Sequence, residues 1–187
     1  MNKLLIHACC APCLVEVYNV LSEEQEKLNI LDMDIIWYNK NIHPKIEYDK
    51  RKNTYMEYVT SLGKTPYLID EYDLMNFTKI ASNIEDTDYK SRCEYCYISR
   101  LERVFIHAQE NGYTHVTTTL LISPYQNHDL IISACKKLEE KYDVKFLYKD
   151  FRPMFRDGQR KSRELGLYMQ KYCGCIYSID EGRWQGI

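Results

Sequence analysis

The sequence has no apolar run of the roughly 18 residues needed to cross a bilayer. Met1-Asn2-Lys3 is not followed by a signal-peptide h-region with a small-residue cleavage site. These two absences lead to the expectation of a cytoplasmic protein with no membrane partner. Glycine is scarce, 7 among 187 residues, which leaves few loose loops. Surplus positive charge is missing too: a formal net charge of −2 excludes indiscriminate coating of nucleic acid but not a local basic patch. No repeat, low-complexity run or linker is visible, and the length fits one domain that buries about 70% of its unfolded surface.

Cysteine is what the chain has in plenty, with 8, alongside 17 tyrosines. Where glutathione and thioredoxin keep thiols reduced, this many cysteines indicate metal binding or redox catalysis before structural disulfides. Seven of them form three groups: Cys9, Cys10 and Cys13; Cys93 and Cys96; Cys173 and Cys175. Cys135 stands alone in an amphipathic stretch and reads as a small core or boundary residue. The first group follows the apolar residues 4–6 and precedes Leu14, Val17, Tyr18 and Leu21, spaced i, i+3, i+4 and i+7. Its thiols therefore sit in a strand-to-helix turn, where the helix N-terminus favours thiolate over thiol.

Further strands are expected at residues 33–38, 65–70, 114–122 and 145–149. Helices are expected around Tyr55 to Leu62, Leu74 to Ala81, Tyr97 to Ala108, Leu130 to Leu138 and, last, residues 162–169, with a polar loop over 82–91. This alternation predicts an α/β fold, a single domain over residues 1–187 with a mainly parallel sheet. Such sheets bind ligands outside the carboxyl ends of their strands, which is where Cys9 to Cys13 fall, with the loops after strands two and four beside them.

One zinc or one iron–sulfur cluster takes four ligands, so seven clustered thiols leave three over. Cys93 and Cys96 alone are half of a common zinc knuckle, but an adjacent pair such as Cys9-Cys10 is uncommon in zinc spacing. Cys9, Cys10, Cys93 and Cys96 would make a four-thiolate set for a cluster. Position 16 holds Glu16 rather than cysteine, so the Cys-x3-Cys-x2-Cys spacing of radical adenosylmethionine enzymes is absent. Gly174 gives Cys173 and Cys175 the freedom to pair as a redox-active disulfide or to join Cys13 in holding a second metal; both arrangements stand open.

His7 to Cys13 (His-Ala-Cys-Cys-Ala-Pro-Cys), Asn41-Ile42-His43-Pro44, Arg92-Cys93-Glu94-Tyr95-Cys96, residues 117–125, Asp150-Phe151-Arg152 and Tyr172-Cys173-Gly174-Cys175 together resemble the QueH-type epoxyqueuosine reductases. The resemblance implies a Rossmann-like domain similar to the ATP-pyrophosphatase (HUP) topology. It also implies reductive removal of the epoxide oxygen from epoxyqueuosine at the wobble position of tRNA. The Ser-Gly-Gly phosphate loop of the ATP enzymes is missing, its place taken by Cys9 to Cys13.

On that resemblance, Cys9, Cys10, Cys93 and Cys96 are expected to hold a 4Fe-4S cluster. Cys13, Cys173 and Cys175 are expected to form a catalytic second centre, either a disulfide or an adjacent mononuclear metal, iron foremost. Asp150 would complete that metal site or donate a proton, unless it is a turn or cap residue. Electrons would come from a separate donor. Lys50-Arg51-Lys52 and Arg152, Arg156, Arg160, Lys161 and Arg163 are candidate phosphate contacts to tRNA, with Tyr125, Phe151 or Phe155 as base-stacking groups. His43 reads as a proton relay or a turn residue, and His7 as a packing or capping residue. Two rival readings are iron–sulfur-dependent tRNA thiolation and a non-catalytic metal-binding or electron-transfer module.

Overall fold

The apolar run at residues 4–6 becomes the middle of a sheet. A computed structural model describes residues 2–84 and 89–180. In it β1 (Asn2–Ala8) pairs with β2 (Ile30–Trp37) on one side and with β4 (His115–Thr118) on the other. Leu4, Leu5 and Ile6 are wholly buried, as a strand covered on both faces requires. The edges are β3 (Pro66–Leu68), against β2, and β5 (Lys145–Phe146), against β4. Every pairing is parallel and the order is β3-β2-β1-β4-β5, so strand succession reverses between β1 and β4.

Helix α1 (Ala11–Glu23) links β1 to β2, and α2 (Lys45–Ser61) links β2 to β3. Next come α3 (Leu74–Ser82) and α4 (Tyr89–Glu110), while α5 (His128–Lys141) links β4 to β5. Helix α6 (Phe155–Glu164) and the short α7 (Ile176–Asp180) follow. Right-handed crossovers that run outward in opposite directions from β1 and β4 put α1 and α5 on opposite faces. Accordingly α1 packs with α2 and α6, and α4 packs with α5. No helix among the described residues is long and apolar enough to cross a membrane.

Three expectations shift. The strand predicted over 114–122 ends at Thr118, because its neighbour β1 turns away at Ala8, and Thr119–Ile122 coils into a 3-10 turn capped by the Thr118 hydroxyl on the Leu120 N–H at 3.2 Å. The helix predicted over 162–169 spans Phe155–Glu164 instead, and the chain leaves it through Gly166 at φ +68°. The loop expected over 82–91 is partly helix, since α4 begins at Tyr89, and residues 85–88 lie outside the described residues.

Candidate active site

The β1–α1 turn opens the carboxyl edge of the sheet. His7, fully buried, ties three strands' ends together: its Nε2–H donates to the Tyr38 carbonyl at 3.1 Å, which leaves Nδ1 to accept the Thr118 hydroxyl at 2.9 Å. Burial, helped by the charge of Arg100, holds this imidazole down at about 4, so it is neutral. Asn39, from the loop after β2, donates to the Ala8 carbonyl at 2.9 Å. From the turn after β4, Thr119 Oγ1 accepts the Cys9 N–H at 2.9 Å and donates to Cys9 Sγ at 3.1 Å. The loops after strands two and four thus lie beside Cys9 to Cys13, as expected of the switch point.

Cys10 is the N-cap of α1, its sulfur accepting the Cys13 N–H at 3.4 Å, and Pro12 occupies the first turn, where a missing N–H costs no helical bond. The ligand atoms of Cys9, Cys10 and Cys13 all lie within 4.8 Å of one another. Hydrogen bonds from Cys10 and Cys13 pull the Cys9 thiol well below its ordinary value, with Thr119 and Arg100 adding to the effect. The neighbours move the other way: burial raises Cys10, and sharing its proton with Cys10 and Cys9 raises Cys13. Of the three sulfurs, Cys9 is therefore the one that gives up its proton most readily. Gln170 adds a further donor, Nε2 to Cys10 Sγ at 2.8 Å.

Cys93 and Cys96 project from α4 one turn apart, and Arg100 lies one turn further on. Arg100 is buried, donates to Asn39 Oδ1 and approaches Cys96 Sγ at 3.9 Å. Burial raises the Cys96 thiol and Arg100 opposes it. Cys173 and Cys175 come from the segment after α6. The Cys173 thiol donates to Ser178 Oγ at 3.1 Å, whose own hydroxyl donates to the Cys175 carbonyl at 2.6 Å. Cys175 is raised by burial and then by Cys173, Cys96 and Cys93, which makes these four sulfurs electrostatic neighbours.

All seven clustered cysteines line one cavity of about 610 Å³, together with the buried Arg51, Arg92 and Arg100. All eight cysteines are free thiols, and Cys135 is buried in α5, apart from the cavity. Within the cavity Cys9, Cys10 and Cys13 are the sulfurs gathered within 4.8 Å of one another, and Cys93, Cys96, Cys173 and Cys175 line the same space.

Other expected residues scatter. Asp150 does not line the cavity; Arg152 binds both its carboxylate oxygens, at 2.8 and 2.6 Å, and holds the acid down at about 2. Arg51 is not a surface phosphate contact: it is 3% exposed and paired with Glu47, since its stretch of α2 faces inward. Lys52 pairs with Asp70, Arg160 with Asp157 and Glu164, and Lys161 with Glu16. Phe151 is wholly buried and cannot stack on a base, whereas Tyr125 is 56% exposed at the cavity edge, with Phe155 edge-on to it at 5.9 Å. His43 has a buried Nδ1 without a partner among the described residues, and Asn41 lines the cavity.

The family model described as "Epoxyqueuosine reductase QueH" matches residues 4–181. The chain belongs to this family. It is 36% identical to the Epoxyqueuosine reductase QueH of Thermotoga maritima, over 98% of this chain and 93% of that protein. The proteins of the same name from Dehalococcoides mccartyi and Histophilus somni are 30% and 34% identical, over 94% and 98% of this chain and 92% and 75% of theirs. By those names the family is one of oxidoreductases, which agrees with an enzyme site built of thiols. Reasoning from sequence missed Arg100, Gln170, Thr119 and the Glu47–Arg51 pair, whose roles depend on partners 61 to 160 residues away or on burial. Only the Thr-Thr-Thr run before Leu120 carried a local hint, a hydroxyl-rich strand end pointing at the cysteine turn.

Proposed function

We propose that the protein reduces epoxyqueuosine to queuosine at the wobble position of tRNA, in the cytoplasm, with electrons from a separate donor. The observation that carries this reading is the convergence of seven reduced thiols from the start, middle and end of the chain on one cavity. The net change, epoxide plus two electrons and two protons to alkene plus water, needs an electron relay and an acceptor for oxygen that ordinary side chains do not supply.

The donor set fits an iron–sulfur cluster with an adjacent iron: soft sulfurs in excess of four, and a cationic wall of Arg51, Arg92 and Arg100 to balance thiolate charge. When bound, such groups supply one-electron transfer and Lewis-acid polarisation of the epoxide oxygen. In the division drawn on the sequence, Cys9, Cys10, Cys93 and Cys96 hold the cluster, and Cys13, Cys173 and Cys175 the second centre. The 4.8 Å grouping of Cys9, Cys10 and Cys13 supports a second division, with those three as the second centre and Cys93, Cys96, Cys173 and Cys175, which line the same cavity, on the cluster. Cys173→Ser and Cys175→Ser separate the two, since they spare the cluster's absorption in the first case and abolish it in the second.

The chain's other residues orient and exclude. Thr119 and Gln170 aim donors at Cys9 and Cys10, and Tyr125 offers an exposed ring at the cavity edge on which an extruded base stacks. Exposed Arg156 and Arg163 of α6 meet tRNA phosphates, and Asp150 serves by fixing Arg152 at the start of that basic stretch. The test is nucleoside mass spectrometry of tRNA from cells lacking the protein. Epoxyqueuosine should accumulate and return to queuosine on complementation; unchanged queuosine would refute the reading.

A further inference from the structure

Residues 168–174 are fastened to residues 42–51 by bonds that belong to no helix or sheet. Arg51 Nη2 donates to the Tyr172 carbonyl at 2.8 Å and Nη1 to the Cys173 carbonyl at 3.1 Å. Its Nε–H donates to Glu47 Oε1 at 2.7 Å, and Glu47 Oε2 accepts the Tyr168 hydroxyl at 2.6 Å. The guanidinium lies 5.1 Å from the centre of the Tyr172 ring, whose hydroxyl donates to the His43 carbonyl. The His43 N–H returns a bond to the Gly174 carbonyl at 2.7 Å. Arg51 is 3% exposed and Glu47 6%.

We infer that Arg51, with Glu47 as its counter-ion, is a positioning residue for the reaction: it sets where Cys173 and Cys175 present their sulfurs by gripping the two carbonyls that lead into Gly174. Its part in a reaction rests on the function proposed above; the grip itself does not. A buried ion pair adds little stability over well-packed apolar groups, so its use here is geometric. The planar fork of a guanidinium fixes two successive carbonyls at once, which a lysine point charge cannot do. Gly174, at φ +104°, turns the chain so that the cysteines on both sides of it face the cavity. A methyl group there would stand 3.0 Å from Arg51 Nη1 and 3.0 Å from Ile42 Cγ1, so the grip and the turn exclude any side chain.

The test is per-cysteine labelling with N-ethylmaleimide, read by peptide mass spectrometry, on the full-length chain reduced and stripped of metal by a chelator. Gly174→Ala keeps both charges of the Glu47–Arg51 pair while crowding the guanidinium and straining the turn it holds. In that variant Cys173 and Cys175 should label about tenfold faster, the signature of local opening, with Cys9, Cys10 and Cys13 unchanged. Arg51→Lys should fall between it and the parent protein, because one carbonyl keeps a donor. On epoxyqueuosine-containing tRNA both variants should lose kcat with KM held. Parent-like labelling in both variants would overturn the inference, and so would equal acceleration at all seven thiols, which would make Arg51 a residue of the fold at large. If the parent protein does not reduce epoxyqueuosine, the function falls while the labelling still decides the grip.

Discussion

The thiols of the β1–α1 turn and those of the 173–175 segment face the same cavity but are held there by different means. The turn inherits its geometry from regular structure: β1 is laddered on both sides, Cys10 caps α1, and the β1–β4 ladder delivers Thr119 to Cys9. The later segment has no ladder and is fastened by a side chain of α2 to its main chain and by the main-chain bond from His43 to Gly174. The first arrangement is stiff because a whole sheet must deform to change it. The second depends on a handful of bonds centred on one buried ion pair, which makes it adjustable by single substitutions.

That contrast breaks most visibly at Glu47. Glu47→Ala strands the Arg51 guanidinium in the interior, and the unfolding free energy from a urea titration should fall by about 3–5 kcal/mol. A loss of under ~1 kcal/mol, the value of a surface pair, would place the segment's anchorage elsewhere. The turn should respond less. Thr119→Ala removes both bonds to Cys9 but none of the ladder, and should cost about 1–2 kcal/mol in the same experiment, with Thr119→Ser recovering most of it.

The smallest effect belongs to the far end of α1, where Lys149 reaches Glu24 at 2.6 Å with both side chains 28% exposed. Glu24→Gln should cost about 0.5 kcal/mol. Lys149 holds the Glu24 carboxyl below its ordinary 4.5, so this contribution is present at pH values above 4.5 and fades as pH falls through the lowered folded value. A Glu24→Gln penalty that persists at low pH would contradict the charge-based account.

The same contrast explains what could be read from the sequence. Residues 4–6, the cysteine spacing and the periodicity of Leu14, Val17 and Leu21 are local signals, and they placed β1, α1 and the turn correctly. All seven cavity cysteines were also identifiable, since closely spaced thiols are visible in the sequence. Arg51 was not, because a Lys-Arg-Lys run looks solvated unless one knows that Glu47, one turn earlier, is buried with it. Helix α6 was displaced because only Gly158 and Ser162 of its ten residues are buried, which leaves no apolar rhythm to detect. Phe151, beside the charged residues 150 and 152, is buried for a reason that no neighbour in sequence reveals.

The position of Gly174 in the order of the chain has a bearing on biosynthesis. During translation the sheet and six of the helices emerge first, and the last two cavity sulfurs follow only afterwards. A nascent chain paused before residue 173 would hold five of the seven cavity thiols without the segment that completes the lining. The cavity therefore has its full set of sulfurs only once the chain has passed residue 175.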